Sequence, residues 1–320
     1  MPSVRSRIVN GCLRLKRGLS PEPAEGLDVA RERAELAALA RALGLRVSAD
    51  REAVDSGGVP AEWVLPRSVD KAEAAGQTIL FLHGGSFNSG SPAVHRPVAA
   101  DVAAAARSRV LVVDYRLAPE HPYPAAPEDA MAAYRWLLAQ GTRPEDIVLL
   151  GDSAGGTLVL NLLLALRDSG SPLPAGAVCL SPCTDLALTG ESWSSRAGRD
   201  VILERRKVER SVEIYLRGAD PSSPLVSPLY AELGGLPPLL VQVGSEEVLL
   251  ADSERLARKA RAAGVAVELE IWEGMQHEWH FTAGFVPEAR QALARIGDFA
   301  LSLRRKVSAE PGLDPASPQP

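Results

Sequence analysis

Residues 147–156, IVLLGDSAGG, constrain this chain more than any other stretch. Ile147 to Leu150 form a short, unbroken apolar run containing Ile and Val, the pattern of a strand buried on both faces. Gly151 to Gly155 then fit G-x-S-x-G, a sharp strand-to-helix turn that pushes a serine oxygen out at the strand end. Glycine lacks a β-carbon, so strand and helix can approach closely there. The following stretch, GTLVLNLLLALRDSG, is rich in Leu and Ala and stops at Gly170, which predicts a buried helix. A G-x-S-x-G pentapeptide also arises by chance in a chain rich in Gly and Ala. The strand before it and the helix after it supply the context the motif requires.

The same rhythm runs through the rest of the chain. Periodicity predicts further strands at 61–66, 78–82, 110–115, 176–180, 238–243 and 265–272. Helices are predicted at 28–43, 93–107, 127–139, 249–263 and 287–304. Strands alternating with helices imply an α/β fold, a mainly parallel sheet covered on both faces. Residues 184–230 break the rhythm, being too long for an ordinary connection. They include DVILERRKVERSVEIYLRG, which is helical in pattern, and are expected to fold over the C-terminal edge of the sheet, joined by N-terminal helices. The expected division is therefore a helical part at 1–45, a core at 46–183 and 231–305, an insertion at 184–230 and a disordered tail at 306–320.

At 320 residues and 46% hydrophobic content, the chain can bury one large α/β core. A net charge of −5 with scattered Lys and Arg argues against a nucleic-acid surface. Cys12, Cys179 and Cys183 form no C-x-x-C pair, so free thiols in a reducing, cytoplasmic setting are expected, with no disulfide framework and no zinc site. The N-terminus is basic but lacks the apolar core of a secretory signal, and none is expected. Val4, Ile8, Cys12 and Leu15 recur at helical spacing opposite Arg5, Arg7, Arg14 and Lys16. Two readings stay open: a helix packed on its own domain, and one lying on a membrane surface. No run of 18 apolar residues exists to span a bilayer.

A serine hydroxyl needs a base within hydrogen-bond reach, and the base needs an orienting group. In α/β-hydrolase sheets the chain order is Ser, acid, His. Of five histidines only His277 and His280 follow Ser153. His277 comes first, a few residues after the strand ending at Trp272, and His280 is the backup. The spacing in HEWH is wrong for the HExxH metal pair, and no metal or cofactor is expected. Glu246, Glu247 and Asp252 are the candidate acids. The bare turn His83-Gly84-Gly85 offers Gly84 and Gly85 amides for an oxyanion, with Ala154 as a further donor.

Taken together, HGGSF at 83–87, DYRLAPEHPYPA at 114–125, GDSAGG at 151–156 and GMQH at 274–277 resemble the hormone-sensitive-lipase-like α/β-hydrolases, the bacterial family IV esterases. The resemblance implies an eight-stranded sheet with a helical cap formed by residues 1–45 and 184–230. It selects Glu247 as the acid, because Glu247-Val248-Leu249 stands thirty residues before His277 where the family carries Asp-x-Leu. Glu for Asp is a departure and keeps Asp252 as the alternative. Ser86 where many members have Gly is another. Tyr115, Arg116 and Glu120 are expected to brace the HGG turn, and Asp152 the elbow or the cap. The implied activity is hydrolysis of short-chain acyl esters by Ser153, His277 and Glu247. Alternatives are an acetyl hydrolase, lactonase or acyltransferase acting on a natural-product metabolite, or a non-catalytic receptor like the plant gibberellin receptor, which lacks the histidine. Phe87, Asn88, Trp193, Tyr215 and Trp279 are pocket candidates or core packing. The resemblance also implies a homodimer through the last strand and helix.

Overall fold

A computed structural model describes residues 1–19, 28–44 and 47–309. Helices α1 (Val4–Leu19) and α2 (Val29–Gly44) precede an eight-stranded sheet. The sheet is built from β1 (Ala49–Asp55), β2 (Pro60–Pro66), β3 (Thr78–Leu82), β4 (Arg109–Val113), β5 (Ile147–Asp152), β6 (Gly176–Leu180), β7 (Leu239–Gly244) and β8 (Val267–Trp272). The spatial order is β1-β2-β4-β3-β5-β6-β7-β8. Only β2 runs against the others: β1–β2 and β2–β4 are antiparallel, and every pairing from β4 to β8 is parallel.

Side-chain alternation sorts the central strands into two layers. Leu80, Leu82, Leu111, Leu149, Cys179 and Val241 face one layer, packed on α5 (Ala125–Ala139), α6 (Ala154–Asp168) and α9 (Leu250–Ala262), whose ranges follow the strands they connect. Ile79, Phe81, Val112, Leu150, Val178 and Leu240 face the other, packed on α4 (Pro92–Ala106) and α10 (Pro287–Ala309). Burial on both faces explains why these strands read as continuous apolar runs. Short helix α3 (Lys71–Ala75) is capped by the Asp70 carboxylate, which accepts from the Ala72 and Glu73 amides.

Between β6 and β7 lie two helices, α7 (Ser192–Ser195) and α8 (Arg205–Leu216). This interval is fastened to the sheet at buried carboxylates. Asp252 Oδ2 accepts from the Thr184 and Asp185 amides at 2.8 and 3.0 Å. Asp200 Oδ2 accepts from the Val248 amide at 3.0 Å, and its Oδ1 from Ile202 and Leu203 at 2.8 Å.

Three expectations change. The sequence pattern missed β1, whose residues are mostly exposed and polar and which pairs only with β2 at the sheet edge. Helix α10 runs to Ala309, through the start of the stretch read as a tail; residues 310–320 lie outside the described ones. Helix α1 does lie on the protein, but through its polar side. Ser6 is buried, while Val4, Ile8 and Leu15 face outward.

Candidate active site

Parallel pairing places the C-terminal ends of β3, β5, β7 and β8 along one edge, with Leu82 opposite Gly151 and Gly244 opposite Trp272. The turns leaving these four strands carry the HGG sequence, Ser153, Glu247 and His277.

Ser153 sits at φ 51° and ψ −118°, a strained backbone conformation held between β5 and α6. The close approach is real: a β-carbon on Gly155 would land on the Leu82 carbonyl oxygen. The Ser153 amide donates to the Leu180 carbonyl at 2.8 Å, which fixes the turn to the neighbouring strand. Its Oγ lies 3.1 Å from His277 Nε2. His277 Nδ1 lies 2.8 Å from Glu247 Oε2. The other carboxylate oxygen, Oε1, accepts from Ser181 Oγ at 2.7 Å and from the Gly244 amide at 2.6 Å. The three side chains are buried, so their contacts are little screened by solvent.

Asp252 and His280 stand elsewhere. Asp252 clamps residues 184 and 185, and burial together with the charge of Asp185 pushes it up to about 7. His280 Nε2 meets Gln242 Oε1 at 2.9 Å, and burial lowers its pKa to about 3. Among the described residues no cluster of three His, Cys, Asp or Glu could hold a metal ion.

The HGG turn differs from expectation at one position. Gly84 donates its N–H to Asp152 Oδ1 at 2.9 Å. That amide is therefore engaged, whereas the Gly85 and Ala154 amides meet no acceptor among the described residues. Gly85, Ser86 and Phe87 all have positive φ, a sharp bend that brings Ser86 and Phe87 to the side of Ser153. Asp152 thus ties the serine elbow to the HGG turn. Burial alone would raise its pKa, but the charge and hydrogen bond of His95, 3.1 Å away, and a hydrogen bond from Glu278 hold it well below the usual carboxylate range. Tyr115 donates to the His83 carbonyl at 2.6 Å and stacks on the His83 ring. Arg116 turns away, to Asp129 and Glu128 on α5. Glu120 acts through Arg33 of α2, which also donates to the Asn88 and Ala118 carbonyls at 2.7 and 2.8 Å.

Glu278 is a residue sequence reasoning passed over. Its Oε1 is 3.6 Å from His277 Nε2. A β-carbon on Gly84 would fall between its carboxyl and that of Asp152. Burial and the charge of Asp152 push Glu278 up to about 8. For His277, burial opposes protonation, yet the carboxyls of Glu278 and Glu247 outweigh it and raise the imidazole to about 9.

Beside Ser153 a pocket with about 340 Å³ of empty space, mouth included, is lined by Phe87, Cys183, Leu203, Val208 and Val212. Of the pocket candidates, Phe87 lines it and Tyr215 backs Phe87, ring on ring at 3.9 Å. Asn88 donates to Ser211, another lining residue, at 3.0 Å. Trp193 is buried near Arg205 and is not among the residues that line the pocket. Trp279 packs in the α4/α10 layer against Trp272 and His280, so its role there is core packing.

The sequence profile of the alpha/beta hydrolase fold matches residues 79–281. A crystal structure of an esterase from the bacterial hormone-sensitive lipase family is 44% identical and superposes with a TM-score of 0.87, covering 96% of this chain and 99% of the other. The chain belongs to the hormone-sensitive-lipase-like α/β-hydrolases. It is a carboxylic ester hydrolase of that family. An acetyl-hydrolase of Streptomyces hygroscopicus is 48% identical over 248 residues, which are 78% of this hydrolase and 81% of the relative. An esterase of Acinetobacter venetianus is 43% identical over 235 residues, 73% of this chain and 78% of the other. No described helix of this hydrolase is long and apolar enough to cross a membrane.

Proposed function

We propose that this hydrolase cleaves short-chain acyl esters through an acyl-enzyme on Ser153, with His277 as base and Glu247 as its orienting acid. The observation that carries this reading is the pair of contacts through one imidazole, 3.1 Å from Nε2 to the serine and 2.8 Å from Nδ1 to the glutamate. Nδ1–H donates to Glu247, so Nε2 is the free lone pair that accepts the serine proton.

Serine oxygen attacks the ester carbonyl as its proton passes to His277. The developing oxyanion is held by the Gly85 and Ala154 amides, each such donor being worth a factor of ~10²–10³ in turnover. Imidazolium then protonates the departing alcohol. Water enters, gives a proton to His277 and attacks the acyl carbonyl; His277 then passes that proton to Ser153 Oγ as the carboxylic acid leaves. The insertion between β6 and β7, together with the N-terminal helices, acts as a cap: Leu203, Val208 and Val212 come from it and wall the pocket with apolar surface suited to a small acyl chain.

The Ser153→Ala variant, assayed on p-nitrophenyl acetate and butyrate, is expected to lose turnover by several orders of magnitude and to escape labelling by a fluorophosphonate probe. Turnover like that of the unaltered chain would remove the proposal. A second reading, deacetylation of a metabolite, is favoured by the Streptomyces relative, which is an acetyl-hydrolase. A panel of acyl lengths with acetylated metabolites and lactones separates the two, and added alcohols reveal acyl transfer.

A further inference from the structure

Helix α1 carries a pattern that ester hydrolysis leaves unused. The helix is held to the protein mainly by polar contacts. Ser3 Oγ donates to Glu288 Oε2 at 2.9 Å, Asn10 Nδ2 to the Gly274 carbonyl at 2.8 Å, and Arg17 to the Asp200 carbonyl. Val9 adds a partly buried contact to the α4/α10 layer. An amphipathic helix ordinarily turns its apolar stripe to the core. Here the stripe is outside: Val4 is 62% exposed, Ile8 52% and Leu15 65%.

At 3.6 residues per turn these three side chains point within about 40° of one another. Exposed Gly11 and Cys12 share the stripe. Cationic residues flank it, Arg5 on one edge and Arg7 and Arg14 on the other, Arg14 also lying 3.7 Å from Glu246 Oε2. The sixteen residues of α1 contain five Lys and Arg and no acid, on a chain whose net charge is −5. Half-exposed Phe285 extends the apolar surface, with the Arg5 guanidinium 5.3 Å from its ring centre.

The charge decides between occupants. A second copy of this chain would lay Arg5, Arg7 and Arg14 against the same three cations, with no acid on either helix to compensate. An anionic lipid surface offers the complement: acyl chains for the stripe and phosphates for its edges. We propose that α1 is a docking surface for an anionic phospholipid bilayer, with Val4, Ile8 and Leu15 entering the headgroup boundary and Arg5, Arg7 and Arg14 facing phosphate. The C-terminal turn of α1, on its inner side, meets the segment that leads to the pocket wall. Arg17 bonds the carbonyl of Asp200; two residues on, Ile202 is exposed, and Leu203 lines the cavity beside Ser153. Docking is independent of the Ser153 mechanism.

The experiment is vesicle co-sedimentation of the full chain. Vesicles of phosphatidylcholine alone are compared with an equal mixture of phosphatidylcholine and phosphatidylglycerol, at low and high salt. The chain is expected to sediment with the anionic vesicles only, and to be released by salt. The double variant Ile8→Asp with Leu15→Asp is expected to lose binding by on the order of tenfold or more. Both positions are on the surface, so its thermal melt and its turnover of soluble p-nitrophenyl butyrate should match those of the unaltered chain. Absence of sedimentation with anionic vesicles would overturn the proposal, as would binding that the double variant keeps. A dimer in light scattering that the double variant breaks, with no vesicle binding, would assign the stripe to a second copy and equally overturn it.

Discussion

Glu278 Oε1 lies 3.6 Å from His277 Nε2, so the ring nitrogen that faces Ser153 also faces a second carboxyl. The charge of Glu278 is the largest single influence raising the imidazole pKa; Glu247 adds a hydrogen bond and a charge of its own. A base must be neutral to accept a proton, so with His277 as the proposed base the rate should fall as pH drops through its pKa, raised to about 9. Glu278→Gln removes that charge and keeps the shape. The acid limb of kcat/KM should move to lower pH by about 1–3 units, the usual effect of one nearby charge. Superimposable pH profiles for the variant and the unaltered chain would contradict this.

The two acids read from the sequence should separate cleanly. Glu247→Gln takes away the carboxylate that meets His277 Nδ1 at 2.8 Å, and with Glu247 as the proposed orienting acid turnover should fall by about 10³–10⁴-fold with little change in melting temperature. Asp252→Asn should act on stability. The folded Asp252 pKa, about 7, lies above the ordinary carboxylate value. The folded state therefore holds an extra proton there between roughly pH 4 and 7, and stability from this group is present at low pH and lost as pH rises through 7. The melting temperature of the unaltered chain should decline from pH 5 to pH 8 more steeply than that of Asp252→Asn.

Arg33 joins α2 to the loop beside the HGG turn through the Asn88 and Ala118 carbonyls and Glu120. Arg33→Ala frees that loop without touching Ser153, His277 or Glu247. A misplacement of about 1 Å costs up to ~10²-fold in rate, so kcat/KM should fall by roughly tenfold. Steady-state kinetics on p-nitrophenyl butyrate would show it, and an unchanged kcat/KM would place Arg33 outside the support of the turn.

The contrast between β3 and β1 explains what the sequence revealed of the fold. Strand β3, TILFL, is buried on both faces, and its apolar run announces it. Strand β1, ADREAVD, is held by main-chain pairing to β2 and leaves most side chains in solvent, so no hydrophobic period marks it. The site divides in the same way. Ser153, Glu247 and His277 lie in turns flanked by recognisable strands, and the structure brings them together. His95, Arg33, Ser181 and Asp200 reach the site as single polar side chains from distant segments, and a lone polar residue has no period to betray it. Gly84 was legible as a bare turn, but the capture of its amide by Asp152 depends on a contact across 68 residues.

Cys179 and Cys183 are sealed inside the protein, and burial pushes the Cys179 thiol up to about 12. Cys12, on α1, is open to solvent. The chain thus comes with a single addressable thiol, placed on the apolar stripe. A maleimide dye attached there would change colour or brightness when its surroundings turn from water to lipid, making the unmutated protein its own reporter of where that helix resides.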